Sequence, residues 1–224
     1  MSINTEPSEP LTTAGSHGLT LAELPDDFFN FDQREQHQSA LVDRALKSIF
    51  DHYENDPTST VDLIKKLEEQ PLNPNQVNRL ASLLENTQNV SLIKTILFIL
   101  VDRDGLNDES FDTVKQFFVE SEDSDVKVES EDSDVKYNAF LLLLTGKPSL
   151  IKDILQDFKY FEFIKDFIEE LVKYDDQETL LDLLSQLSQL SRPIFSVDSY
   201  DLIVDHFPRE SRVSTLAWSL LDKI

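Results

Sequence analysis

From Leu41 onward the apolar residues return every three or four positions and are broken at short intervals by polar stretches. That spacing places them on one stripe of an α-helix, and the alternation expected of β-strands is nearly absent. Leu41, Val42, Ala45, Leu46, Ile49 and Phe50 mark a first helix, ended by the run Asn55-Asp56-Pro57. Val61, Leu63, Ile64 and Leu67 mark a second, with Ser59 or Thr60 to cap it and Pro71 after it. The same spacing predicts helices over 77–84, 91–101, 110–118, 135–144, 150–158, 161–174, 178–190, 200–206 and 212–224. Stretches such as "AFLLLLT" and "YFEFIKDFIEELV" are apolar over more than one face, as a helix covered on two sides requires. The expected class is all-α, with a helical domain over residues 37–224.

Some of these helices share a register. "SDVKYNAFLLLL" at 133–144 and "SRVSTLAWSLLD" at 211–222 align without a gap, matching Val135 with Val213, Ala139 with Ala217, Phe140 with Trp218 and Leu142 with Leu220. "SLIKTILFIL" fits beneath them with Thr95 at the alanine position, and "TLLDLLSQLSQL" fits with Leu183 there. Positions 95, 139, 183 and 217 are then 44, 44 and 34 residues apart. A polar break with an acid, then Val-x-x-x-Ala and an apolar run, after a helix ending in bulky residues such as "FDTVKQFF", resembles armadillo or HEAT repeats over residues 75–224. The resemblance implies a right-handed α-solenoid of about four to five short repeats, each unable to bury its apolar face alone. A compact bundle needs the same apolar faces, and only the repeat spacing separates the two architectures.

Armadillo proteins that grip extended peptides carry a ladder of tryptophan and asparagine. Here Trp218 is the only tryptophan, Asp222 stands at the matching asparagine position, and the repeat around Ala139 has Phe140 and Leu144 instead. This departure from the pattern implies recognition by shape and charge rather than by a peptide's backbone.

The stretch "VESEDSDVKVESEDSDVK" at 119–136 is one nine-residue unit written twice. Nine residues turn an α-helix by about 900°, or two and a half turns, so an insertion inside a packed helix would put everything after it on the wrong face. The unit must therefore sit where helical phase is not transmitted, and the register that resembles armadillo repeats implies a loop between Phe118 and Val135. Ser121 and Ser124 in one copy and Ser130 and Ser133 in the other are suited to capping the helix that follows. Glu120, Glu122, Asp123, Asp125, Glu129, Glu131, Asp132 and Asp134 make the loop a candidate acidic finger for a basic partner, and its serines are candidate phosphoacceptors. The competing reading is a tolerated expansion, because doubling a loop costs only about 0.6 kcal/mol of closure entropy.

Residues 1–36 hold seven acids and one basic residue, Arg34, among Pro, Ser, Thr and Gly, the composition of a disordered acidic tail. Within it "LPDDFFNFDQ" gathers Leu24, Phe28, Phe29 and Phe31 between acids. The cluster reads either as a docking motif or as a lid packed back on the folded body. It resembles loosely the acidic two-phenylalanine motif that recruits proteins to an endoplasmic-reticulum membrane receptor, with Asp27, Phe28 and Phe29 in place. Phe31 stands where that motif has a small residue, and Gln33 where it has an acid.

A formal charge of −23 disfavours nucleic acid and anionic membrane as partners. The longest apolar runs, Ile96 to Val101 and Ala139 to Leu144, are far shorter than the roughly 20 residues that span a bilayer. With no cysteine and no leader pattern at the N-terminus, a soluble protein of the cytoplasm or nucleus is expected. Candidate chemistry is sparse. His17, His37, His52 and His206 are scattered without metal-ligand spacing, four glycines leave little for a phosphate-cradling loop, and no nucleophile elbow occurs. No metal or cofactor is expected.

The function expected is a non-enzymatic interaction scaffold or adaptor that presents an acidic helical surface to a basic protein partner. The family resemblance also implies an alternative, a cochaperone acting as a heat-shock chaperone exchange factor or a proteasome assembly chaperone. A third reading, an enzyme with an unrecognised site, requires a deep pocket lined by groups with perturbed pKa values. Oligomeric state is left open.

Overall fold

A computed structural model describes residues 35–101, 103–119 and 133–223. Among them the regular structure is entirely helical: α1 (Glu35–His52), α2 (Pro57–Leu67), α3 (Pro74–Ser82), α4 (Val90–Val101), α5 (Asp108–Phe118), α6 (Ser133–Gly146), α7 (Phe161–Lys173), α8 (Gln177–Ser188), α9 (Val197–His206) and α10 (Arg212–Leu221). Most helix starts are set by a short polar side chain that accepts a hydrogen bond from a first-turn amide. Asp56, Asn73, Asn107, Asp176, Ser196 and Ser211 do this for α2, α3, α5, α8, α9 and α10. Asn89 accepts from the Leu92 amide at 3.1 Å ahead of α4. Pro57 and Pro74 open their helices where a missing N–H costs nothing.

Consecutive helices pair as α1 with α2, α3 with α4, α5 with α6, α7 with α8 and α9 with α10. The even-numbered helices form an unbroken row of neighbours, α2 on α4, α4 on α6, α6 on α8 and α8 on α10. On the other side α1 packs on α3, α3 on α5, and α7 on α9. Rings join α5 to α7, with Phe118 and Phe163 centred 4.8 Å apart. Phe140 of α6 closes this cluster, 5.3 Å from Phe118 and 4.9 Å from Phe167. Such a row explains the sequence pattern of α4 and α6, since a helix with neighbours on both sides and a partner behind it is buried around most of its circumference.

Three details of the sequence reading change. Asp56, ahead of Ser59 and Thr60, is the side chain that caps α2. Thr95 is half exposed, with its hydroxyl donating to the Ser91 carbonyl at 2.8 Å, while Ile96 is buried like Ala139, Leu183 and Ala217. The register of α4 is therefore offset by one residue, because in an apolar run like "LIKTILFIL" only packing selects the inward face. Residues 150–158 form no α-helix: three 3-10 turns, Pro148–Ile151, Ile154–Gln156 and Phe158–Tyr160, connect α6 to α7. Ile151 and Ile154 are buried three residues apart, which suits a helix of three residues per turn, and Asp157 starts a fresh turn by accepting from the Lys159 amide.

Long-range polar contacts recur with the helix pairs. After α4, the Arg103 guanidinium donates back to the Glu68 carbonyl, and to Leu67 O at 3.4 Å, capping the end of α2. After α10, the Lys223 ammonium donates to the Ser188 carbonyl, and to Leu190 O at 3.1 Å, capping the end of α8. A cation at a helix C-terminus meets both the orphan carbonyls and the negative end of the dipole. On the other side of the molecule the Asn78 amide of α3 holds the α4–α5 turn, donating to Gly105 O at 2.8 Å and accepting from the Asn107 amide at 2.8 Å. Gly105 has φ +95° and lies against Pro74, so that turn needs glycine for conformation and for space.

Candidate functional site

The row of even helices leaves an open groove of about 450 Å³ across α2, α4 and α6. Lys65 and Glu68 come from the last turn of α2 and the residue beyond it, Lys94, Thr95, Phe98 and Ile99 from α4, and Asp134, Tyr137 and Asn138 from the first two turns of α6. Each helix supplies the face that is left when its stripe of Leu63–Ile64–Leu67, Ile96–Leu97–Leu100 or Val135–Ala139–Leu142 turns inward. Phe98 is the one large apolar side chain of the lining that is mainly exposed, at 52%.

Charge is balanced within the lining. Lys94 Nζ stands 3.1 Å from Asp134 Oδ2 and links α4 to α6. As a solvated pair it contributes little to stability, and its main effect is to set the polarity of the rim. Tyr137 is packed against Phe167, with ring centroids 4.6 Å apart. Burial raises its phenol pKa above the ordinary 10.0, and the nearby carboxylates of Asp176 and Glu170 raise it further. At neutral pH it is a neutral phenol.

Of the candidate site residues named from the sequence, the structure places one at this groove. Asp134 lies in the first turn of α6, on the rim, where the duplicated segment enters the helix. Glu120, Glu122, Asp123, Asp125, Glu129, Glu131 and Asp132 lie outside the described residues, as do Phe28, Phe29 and Phe31 and residues 1–34 of the acidic tail, whose last two residues, Glu35 and Gln36, open α1. The duplicated segment starts at Val119, directly after Phe118 ends α5, and its last four residues, Ser133 to Lys136, form the first turn of α6. Sequence reasoning missed Lys65, Glu68, Lys94, Phe98, Tyr137 and Asn138. The one available signal was Phe98, a large ring in a run where the buried register falls on its neighbours, and that register became visible only with the packing.

Little else among the described residues suggests reaction chemistry. No group of three or more His, Cys, Asp or Glu side chains is placed to hold a metal ion. His206 Nε2 stands 3.8 Å from Asp175 Oδ1 at the surface, and His52 Nδ1 lies 2.8 Å from the Ser48 carbonyl one turn back. No described helix is long and apolar enough to cross a membrane. Comparison with known proteins finds no matching family model, no similar curated protein and no similar solved structure.

Proposed function

We propose that this chain is a non-enzymatic scaffold or adaptor of the cytoplasm or nucleus, built as an armadillo/HEAT-type right-handed α-solenoid, which presents an acidic helical surface to a basic protein partner. The observation that supports the reading best is the unbroken row from α2 to α10 with an open groove across three of its helices, beside the entry of the acidic duplicated segment. A stack of helix pairs exposes a long continuous face of this kind, and such faces bind partners along their length. Phe98 supplies an apolar anchor, and the surrounding charge of −23 speeds the approach of a cationic surface and repels an anionic one.

Affinity capture from native extract, with the full chain and its Phe98→Ser variant as baits, selects partners for titration as purified proteins. The reading expects a basic protein that binds the wild-type chain directly, weakens at least tenfold with Phe98→Ser, and binds more slowly as salt rises. Binding that ignores both salt and Phe98 would overturn it.

A further inference from the structure

We propose that the groove across α2, α4 and α6 is a docking site for residues 24–31 of the same chain, with Phe28, Phe29 and Phe31 packing on Phe98 and Tyr137. This goes beyond the scaffold reading, since it concerns what occupies the groove when no partner does.

Reach is the first argument. The first turns of α1 are pinned beside the start of α3, where the Gln76 side-chain amide donates to the Ser39 carbonyl at 3.0 Å and to its hydroxyl at 3.2 Å. Glu68 of the groove precedes Asn73, the cap of α3, by only five residues, which span at most about 18 Å. The seven residues from Phe28 to Glu35 extend to about 24 Å, a length greater than that span.

Chemistry is the second. Phe98, Ile99 and Tyr137 give the groove apolar and aromatic surface, and its volume of about 450 Å³ accommodates side chains of phenylalanine size. Its charged lining consists of two lysines, Lys65 and Lys94, and two acids, Glu68 and Asp134. In a chain of net charge −23, a charge-balanced groove is where an acidic, aromatic segment meets the least repulsion. In an extended segment Phe29 and Phe31 share one face, so two rings can enter together while Asn30 points outward. Because tail and body are both acidic, docking is driven by burial and strengthens as salt screens the repulsion. That response is opposite to the salt response of a basic partner, so the two ideas fail independently.

The absence of cysteine makes the test direct. A nitroxide on Asn30→Cys in the full chain, read by NMR, is expected to broaden the amides of Phe98 and Tyr137 and to spare those around Trp218. The broadening should grow with salt, and it should disappear when Phe28, Phe29 and Phe31 are changed to alanine. Phe98→Ser, at an exposed position, should remove it without unfolding the chain. Broadening confined to α1, or unchanged by either set of substitutions, would overturn the proposal. Broadening that appears only between a nitroxide-bearing chain and a separate isotope-labelled chain would overturn it too, by assigning the groove to a second copy.

Discussion

Phe140 and Trp218 stand at equivalent places in two aligned helices, each following a buried alanine, yet their surroundings are opposite. Phe140 is 0% exposed and meets rings of Phe118, Phe163 and Phe167, contributed by α5 and α7. Trp218 is 62% exposed, and its one ring neighbour is Tyr200 at 5.8 Å. Both rings have high burial potential, but α8 and α9, the neighbours of α10, do not reach over the tryptophan. In a stack of helix pairs, the fate of an aromatic residue is decided by the next pair as much as by its own helix.

The largest expected effect follows from that difference. Phe140→Ala should cost about 3–5 kcal/mol, read as a lower urea midpoint, because the ring cluster around it cannot close on the void. Trp218→Ala should stay within about 0.5 kcal/mol of wild type. Equal losses at the two sites would show that another contact covers Trp218.

Gly146→Ala should come next, at about 1–3 kcal/mol. The added methyl would lie 2.5 Å from the Phe111 ring, and the ring is itself buried. The two capping cations give a third comparison. Arg103→Ala should cost about 1.5 kcal/mol, since it strips carbonyl partners at the end of α2 and removes a partly buried guanidinium. Lys223→Ala should cost less, because its ammonium is exposed. Thermal melts of both variants check the order.

Tyr137 gives a pH-dependent effect. Its folded-state pKa is raised by burial and by Asp176 and Glu170, so the folded chain holds the phenolic proton more tightly than the unfolded one. The stabilisation is complete below 10.0 and is lost as pH rises through the raised value. Tyr137→Phe should therefore flatten the alkaline limb of a stability profile and leave the neutral region nearly unchanged. Deleting residues 119–127, one copy of the duplication, should have the smallest effect, about 0.6 kcal/mol or less. A larger loss on urea unfolding would mean that the loop packs on the helices it joins.

The helical class and nearly every helix position among the described residues were legible in the sequence. Periodicity and capping are local properties, and they fix where a helix begins and which residues form its apolar stripe. The region between α6 and α7 was misread as a helix for the same reason. Ile151, Ile154 and Leu155 have helical spacing over a short window, and the 3-10 turns there are held by contacts such as Ile194 N donating to Leu155 O at 3.1 Å, almost forty residues away.

By itself, then, the sequence determined the all-helical class of the described residues and the place of most of their helices. Only the tertiary structure decided that Ile96 rather than Thr95 faces inward, that Phe98 stands in an open groove with Lys65 and Tyr137, and that Trp218 is exposed while Phe140 is buried. The physical reason is that a helix apolar on several sides has no unique inward face until its neighbours cover some sides and leave another open.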